Sequence, residues 1–119
     1  MNYRFYNNNP FNRKTSDCSI RAIALATGRK WDDVYKEISD NARKKGYMMN
    51  SVSYLEDYLD DRYPRTCHYS KTINEFVNEF PNGKYVVSMP NHLTTIIDGI
   101  NYDTFPTLNR KMWCAWKIE

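Results

Sequence analysis

At 119 residues, with 41% hydrophobic and 26% charged side chains, the chain has room for a single domain, residues 1–119, around one core. That excludes a two-domain protein and a disordered one. The formal net charge of +3, from 17 basic and 14 acidic residues, lacks the concentrated excess of a dedicated nucleic-acid binder. No apolar run approaches the roughly 18 residues of a membrane span, and MNYRFYNNNP has no signal-peptide core, so a cytoplasmic protein without membrane contact is expected.

In chain order, Tyr3 to Tyr6 reads as a short edge strand. A helix then begins at Ser16 or Asp17, either of which can cap it, and stops at Gly28. Its interior (Ile20, Ala22, Ile23, Ala24, Leu25, Ala26) is apolar nearly all round, the mark of a helix buried in the middle of a domain. A second helix covers residues 31–45, with Trp31, Val34, Tyr35 and Ile38 at core spacing. Its last turn is basic (Arg43, Lys44, Lys45), as the helix dipole favours, and Gly46 stops it. A third helix is expected over residues 51–59, with Ser53 and Glu56 as a capping pair, and a short strand over 65–69. Thr72 and Glu75 form another capping pair, opening a helix to residue 80. After the turn Pro81-Asn82-Gly83 come four β-like segments, 84–89, 93–98, 100–104 and 111–118. Helices first and an antiparallel sheet last define an α+β protein.

Three cysteines, Cys18, Cys67 and Cys114, are odd in number and widely spaced. That is neither a disulfide framework nor the paired spacing of a zinc site, so three thiols and no metal or other cofactor are expected. Cys67-His68 fits no ligand set, because adjacent side chains on a strand face opposite ways. Cys114 reads as core. Trp113 and Trp116 fall on opposite sides of the last strand, where one of them could wall a cleft. The basic and aromatic N-terminus (Tyr3, Arg4, Phe5, Tyr6, Phe11, Arg13, Lys14) has the residue types that stack on single strands, but at this net charge it reads as solvated surface.

Cys18 differs from the other two. It lies in the first turn of the buried helix, where unpaired N–H groups and the helix dipole favour a thiolate, the species that acts as a nucleophile. Far along the chain, His92 starts a strand whose partner follows the two-residue turn Asp98-Gly99. A tight turn there pairs Ile97 with Ile100, Thr95 with Tyr102 and Thr94 with Asp103. His92 and Asp103 then become diagonal neighbours on one face. A carboxylate in that place accepts the imidazole N–H and steadies the charged ring. Cys18, His92 and Asp103 are therefore the candidate nucleophile, general base and orienting acid.

The stretch Asn12…Asp17-Cys18-Ser19-Ile20-Arg21-Ala22-Ile23-Ala24 and the stretch His92 to Asp103 together resemble the papain-like cysteine peptidase superfamily. The similarity is to its small bacterial and phage members, the double-glycine peptidases among them. It covers about a quarter of the chain and keeps the order Cys, His, Asp. The family has Gln where this chain has Asn12, and often Gly where it has Ser19. The resemblance implies a minimal papain-like fold, with the Cys18 helix packed on the C-terminal sheet and helices 31–45, 51–59 and 72–80 flanking it. It also implies an oxyanion hole from the Cys18 N–H and the Asn12 side chain, or a hydroxyl such as Thr15 or Ser16. The expected function is that of a cysteine hydrolase on a peptide or protein amide, with peptidase, deamidase and transferase chemistry left open. The alternative is a binding protein on the same fold, such as a phage or mobile-element inhibitor gripping a host protein.

Overall fold

The apolar run after Asp17 forms helix α1 (Cys18–Thr27), which buries Ile20, Ala22, Ile23, Ala24 and Ala26 in the computed structural model, a structure describing residues 2–119. It ends at Gly28, whose φ of 67° lets its N–H turn back to the Leu25 carbonyl. Helix α2 (Trp31–Lys45) spans the residues that its periodicity predicts and buries Val34, Ile38 and Ala42. Helix α3 (Val52–Asp60) buries Tyr54, Leu55, Tyr58 and Leu59. Its cap is Ser51, whose side chain accepts the Tyr54 N–H, and not the expected Ser53. A cap must sit on extended backbone ahead of the first turn, and Ser53 is already inside it. Helix α4 (Ile73–Glu79) opens with the expected capping box of Thr72 and Glu75.

Six strands form one sheet: β1 (Tyr3–Phe5), β2 (Arg65–Cys67), β3 (Lys84–Met89), β4 (His92–Ile97), β5 (Ile100–Asp103) and β6 (Cys114–Lys117), in the order β1-β5-β4-β3-β6-β2. The molecule is α+β, as its sequence implies. The sheet is mixed, however, and not purely antiparallel. The N-terminal strand β1 runs parallel to β5; the helices lie in the long stretch between them, where a hairpin would have made the pair antiparallel. The last strand is shorter than expected, since Lys111 leaves it to bridge to Thr72.

Alternation along the strands divides the interior in two. Val86, Leu93, Cys114 and Trp116 pack with α1, α2 and α3, whereas Val87, Met89, Ile96 and Ala115 pack with α4. Trp116 is fully buried, and its indole N–H donates to Asp60 on α3 at 2.8 Å. Helix α1 lies across β4, where the Thr95 hydroxyl donates to the Ala22 carbonyl at 2.9 Å.

Cys67 and Cys114 stand opposite each other in the β2–β6 register and form a disulfide, with their Cα atoms 4.0 Å apart. This corrects the expectation of three thiols. The partners are 47 residues apart in sequence, and only the sheet order makes them neighbours. Among the described residues no helix is long and apolar enough to cross a membrane.

Candidate active site

Cys18 is the first residue of α1. Asp17 occupies the N-cap position, yet its side chain makes no cap hydrogen bond. Its carboxylate instead accepts from Asn9 Nδ2 at 3.1 Å, Trp31 Nε1 at 3.0 Å and Arg21 Nε at 2.9 Å. It thereby ties the N-terminal arm and α2 to α1. The first-turn N–H groups beside Cys18 are left without a side-chain cap, and an anion on the sulfur gains from them.

His92 and Asp103 are placed by the β4–β5 hairpin. Asp98 and Gly99 both have left-handed φ, 48° and 77°, as the two-residue turn between right-twisted strands requires. The ladder pairs Ile97 with Ile100 and Thr95 with Tyr102, the register read from sequence. At its far end the imidazole Nε2 of His92 lies 2.6 Å from Asp103 Oδ2. That oxygen also accepts the Thr94 hydroxyl at 2.6 Å. The other oxygen, Oδ1, accepts from Arg21 Nη1 at 3.0 Å and from the Thr104 N–H at 2.7 Å. The residue that follows strand β1 pins Asp103 through its backbone, the Tyr6 N–H donating to the Asp103 carbonyl at 2.9 Å. Phe105 covers the imidazole at a centroid distance of 4.8 Å.

The electrostatics follow from these contacts. Burial pushes the Cys18 thiol up, but hydrogen bonds from His92 and the Leu93 N–H outweigh it. The charges of His92 and Arg21 add to them, and the net shift is downward. For His92, burial opposes the charged ring, yet the hydrogen bonds to Asp103 and Cys18 raise its pKa to about 9. Asp103 is held below the usual carboxylate value, its burial outweighed by His92, Thr94 and Arg21. The opposed shifts, down for the thiol and up for the ring, favour a thiolate beside an imidazolium over the neutral pair. With Nε2 held by Asp103, Nδ1 is the ring nitrogen free to serve the sulfur.

Cys18, His92 and Asp103, expected from sequence to converge, are brought together. Asn12 is not brought to them. It is exposed, in a turn with φ 51°, its N–H bound to the Asn9 carbonyl at 2.9 Å. It does not line the cavity of about 230 Å³ that opens beside Cys18 and His92. Ser16 does line it, as does Trp113. The loop closes on itself at residues 9–12, which directs the Asn12 side chain to solvent and leaves residues 13–17 to reach the helix. His68 takes no part in the site; its ring lies against Phe76 and Phe80, and Thr66 is 3.0 Å from its Nε2. Among the described residues no three His, Cys, Asp or Glu side chains could hold a metal ion.

Sequence reasoning missed Arg21 and Thr94. For Arg21 a signal existed, since it is the only charge inside an otherwise apolar helix and stands four residues after Asp17. Thr94 carried none beyond its place on the same face as His92. No protein-family model, curated protein or solved structure matches this chain.

Proposed function

We propose that this chain is a papain-like cysteine hydrolase that cleaves a peptide or protein amide through Cys18, His92 and Asp103. The observation that carries the reading is the imidazole of His92, clamped by Asp103 at 2.6 Å while its other side lowers the pKa of the Cys18 thiol. A core cysteine has no reason to be paired in this way.

In this reading the Cys18 thiolate attacks the carbonyl carbon, and the backbone N–H of Cys18 meets the developing oxyanion. Ser16, in the cavity wall, is placed to add a second donor. The imidazolium of His92 protonates the leaving amine as the C–N bond breaks, leaving a thioester on Cys18. Neutral His92 then takes a proton from water, which attacks the thioester and releases the acid and the thiolate. Asp103 keeps the ring oriented and its charge balanced through both halves, without taking up the proton itself.

One observation favours the alternative, a binding protein on the same scaffold. Asn12, the side-chain donor that the family resemblance implies, points to solvent. The two readings separate in one experiment: the rate of Cys18 alkylation by iodoacetamide against pH, in wild type and His92→Ala, read by mass spectrometry. A hydrolase labels rapidly near pH 6, well below the ordinary thiol range, and His92→Ala slows that labelling at least tenfold. An inert Cys18, or equal rates in the two proteins, leaves the binding reading standing.

A further inference from the structure

Behind Asp103 the β4–β5 hairpin and the loop after it bury three polar side chains, Thr94, Asn101 and Thr107, each 1% exposed or less. Alternation along β4 and β5 puts Thr94, Asn101 and Asp103 on one face. The Thr107 N–H and hydroxyl both donate to Asn101 Oδ1, at 3.0 and 2.9 Å. Asn101 Nδ2 donates to Thr94 Oγ1 at 2.8 Å, and the Thr94 hydroxyl donates to Asp103 Oδ2 at 2.6 Å. The chain of hydrogen bonds ends on the oxygen that holds His92.

Each link has a fixed direction. A backbone N–H can only donate, so the Asn101 atom facing Thr107 is the amide oxygen, and the one facing Thr94 is the NH2 group. A hydroxyl has one proton. With an N–H pointed at its oxygen, Thr94 gives that proton to the carboxylate, which can only accept. Asp103 is thereby filled: Oδ2 takes His92 and Thr94, and Oδ1 takes Arg21 and the Thr104 N–H. A carboxylate has about four lone-pair sites, and none is left open to a proton. Holding the loop after β5 uses only the Thr107 end of the chain. It does not require the Thr94 proton to be aimed at Asp103.

From this one-way chain we infer that Thr94 and Asn101 are positioning residues of the site. Asn101 aims the Thr94 proton, and Thr94 fixes Asp103 in its ionised form against the His92 ring. The inference rests on the hydrolase reading above. Loss of the hydroxyl frees one lone pair of Oδ2, so the carboxylate binds a proton more readily and is free to turn from the ring. The imidazolium then loses its partner at a higher pH, and the thiolate goes with it.

The pH profile of Cys18 alkylation by iodoacetamide tests this on the full chain. Thr94→Val keeps the shape of the side chain and leaves Asn101 Nδ2 the Thr95 carbonyl at 3.4 Å, so the fold tolerates it. Its acid limb is expected to move up by about one pH unit, the size of one hydrogen bond to a charged group. Thr94→Ser restores the wild-type limb. Asn101→Leu moves the limb the same way and adds nothing on top of Thr94→Val, because Asn101 acts through Thr94. A limb unmoved in Thr94→Val, or moved as far in Thr94→Ser, reduces these residues to packing and overturns the inference. So does a further shift when Asn101→Leu is added to Thr94→Val. Should Asn101→Leu not fold, nuclear Overhauser contacts in the wild type take its place. Asn101 amide protons beside Thr94 support the aim, and amide protons beside Thr107 overturn it. Wild-type labelling that is slow and ignores His92→Ala overturns the hydrolase reading instead, a result read in different proteins from these.

Discussion

Arg21 stands one turn after Cys18 on α1 and donates to Asp17 and Asp103 at once, at 2.9 and 3.0 Å. Its guanidinium is 11% exposed, between carboxylates that are 6% and 2% exposed, so the helix bearing the nucleophile is tied to the strand bearing the acid by one buried cation. Removing it leaves buried Asp17 with only the neutral donors Asn9 and Trp31, and Asp103 with His92 as its one remaining counter-charge. Arg21→Met is expected to destabilise the fold by about 3–5 kcal/mol. It should also move the acid limb of Cys18 alkylation to higher pH, because a positive charge near the sulfur is lost. Arg21→Lys keeps the charge without the fork geometry and restores part of both. Denaturant titration and the alkylation profile measure the two effects separately.

The Cys18–His92 pair has its own pH signature. His92 alone, raised from 6.5 to about 9, would contribute stability that is complete below pH 6.5 and lost as pH rises through 9. Cys18 alone, lowered from 9.0, would contribute stability present above pH 9 and lost as pH falls through its depressed value. Where the two windows overlap, below pH 9, the slopes oppose, since folding there moves a proton from sulfur to ring with no net uptake. Just below pH 9, stability in denaturant titrations should therefore vary less with pH than in Cys18→Ala, where the slope of His92 acts alone. Turnover, which needs the imidazolium, should decline near pH 9.

At the scale of elements, the site depends on the β4–β5 turn more than on any helix. A slip of one residue would send His92 and Asp103 to opposite faces. Gly99 has a φ of 77°, and a Cβ there would meet Val77 Cγ1 at 3.3 Å and the Pro81 carbonyl at 3.4 Å. Gly99→Ala is expected to destabilise by about 1–3 kcal/mol and to slow Cys18 alkylation with it, because strain at the turn is relieved by shifting the register. Gly28→Ala has a comparable φ of 67° but open space around the new Cβ. It should lower the melting temperature without touching the reactivity of Cys18. A pair of variants that behaved alike would separate the turn from the site. The hairpin was legible because Asp98-Gly99 admits little besides a tight turn. The cap of α3 was not, because Ser51 and Ser53 both have the chemistry and only the entry of the chain chooses between them.

Across the whole molecule the sheet order decides which distant residues meet. The β2–β6 pairing joins Cys67 to Cys114 and staples the β2 edge to the body of the sheet. Reduction by a phosphine is expected to lower stability by about 2–4 kcal/mol, in line with closure of a loop of this length. Mass spectrometry without reductant should find Cys67 linked to Cys114 and Cys18 free. The same order carries β1 across to β5, so the N-terminal arm buttresses Asp103 through its backbone, a role that nothing in Tyr3 to Tyr6 announces.

What the sequence determined by itself is whatever neighbouring residues control. Apolar periodicity and glycine stops placed α1 and α2, capping chemistry opened α4, and one turn dipeptide brought His92 beside Asp103. What only the tertiary structure decided is whatever depends on contacts between distant segments. It set the parallel β1, the cross-strand disulfide, the turn of Asn12 into solvent and the clamp of Arg21 on Asp103. It also closed α3 and Trp113 around Cys18 to form the cavity. The physical reason is range: backbone preference and hydrogen bonding act within a few residues, whereas burial and charge pairing act on whatever the packed sheet and helices bring together.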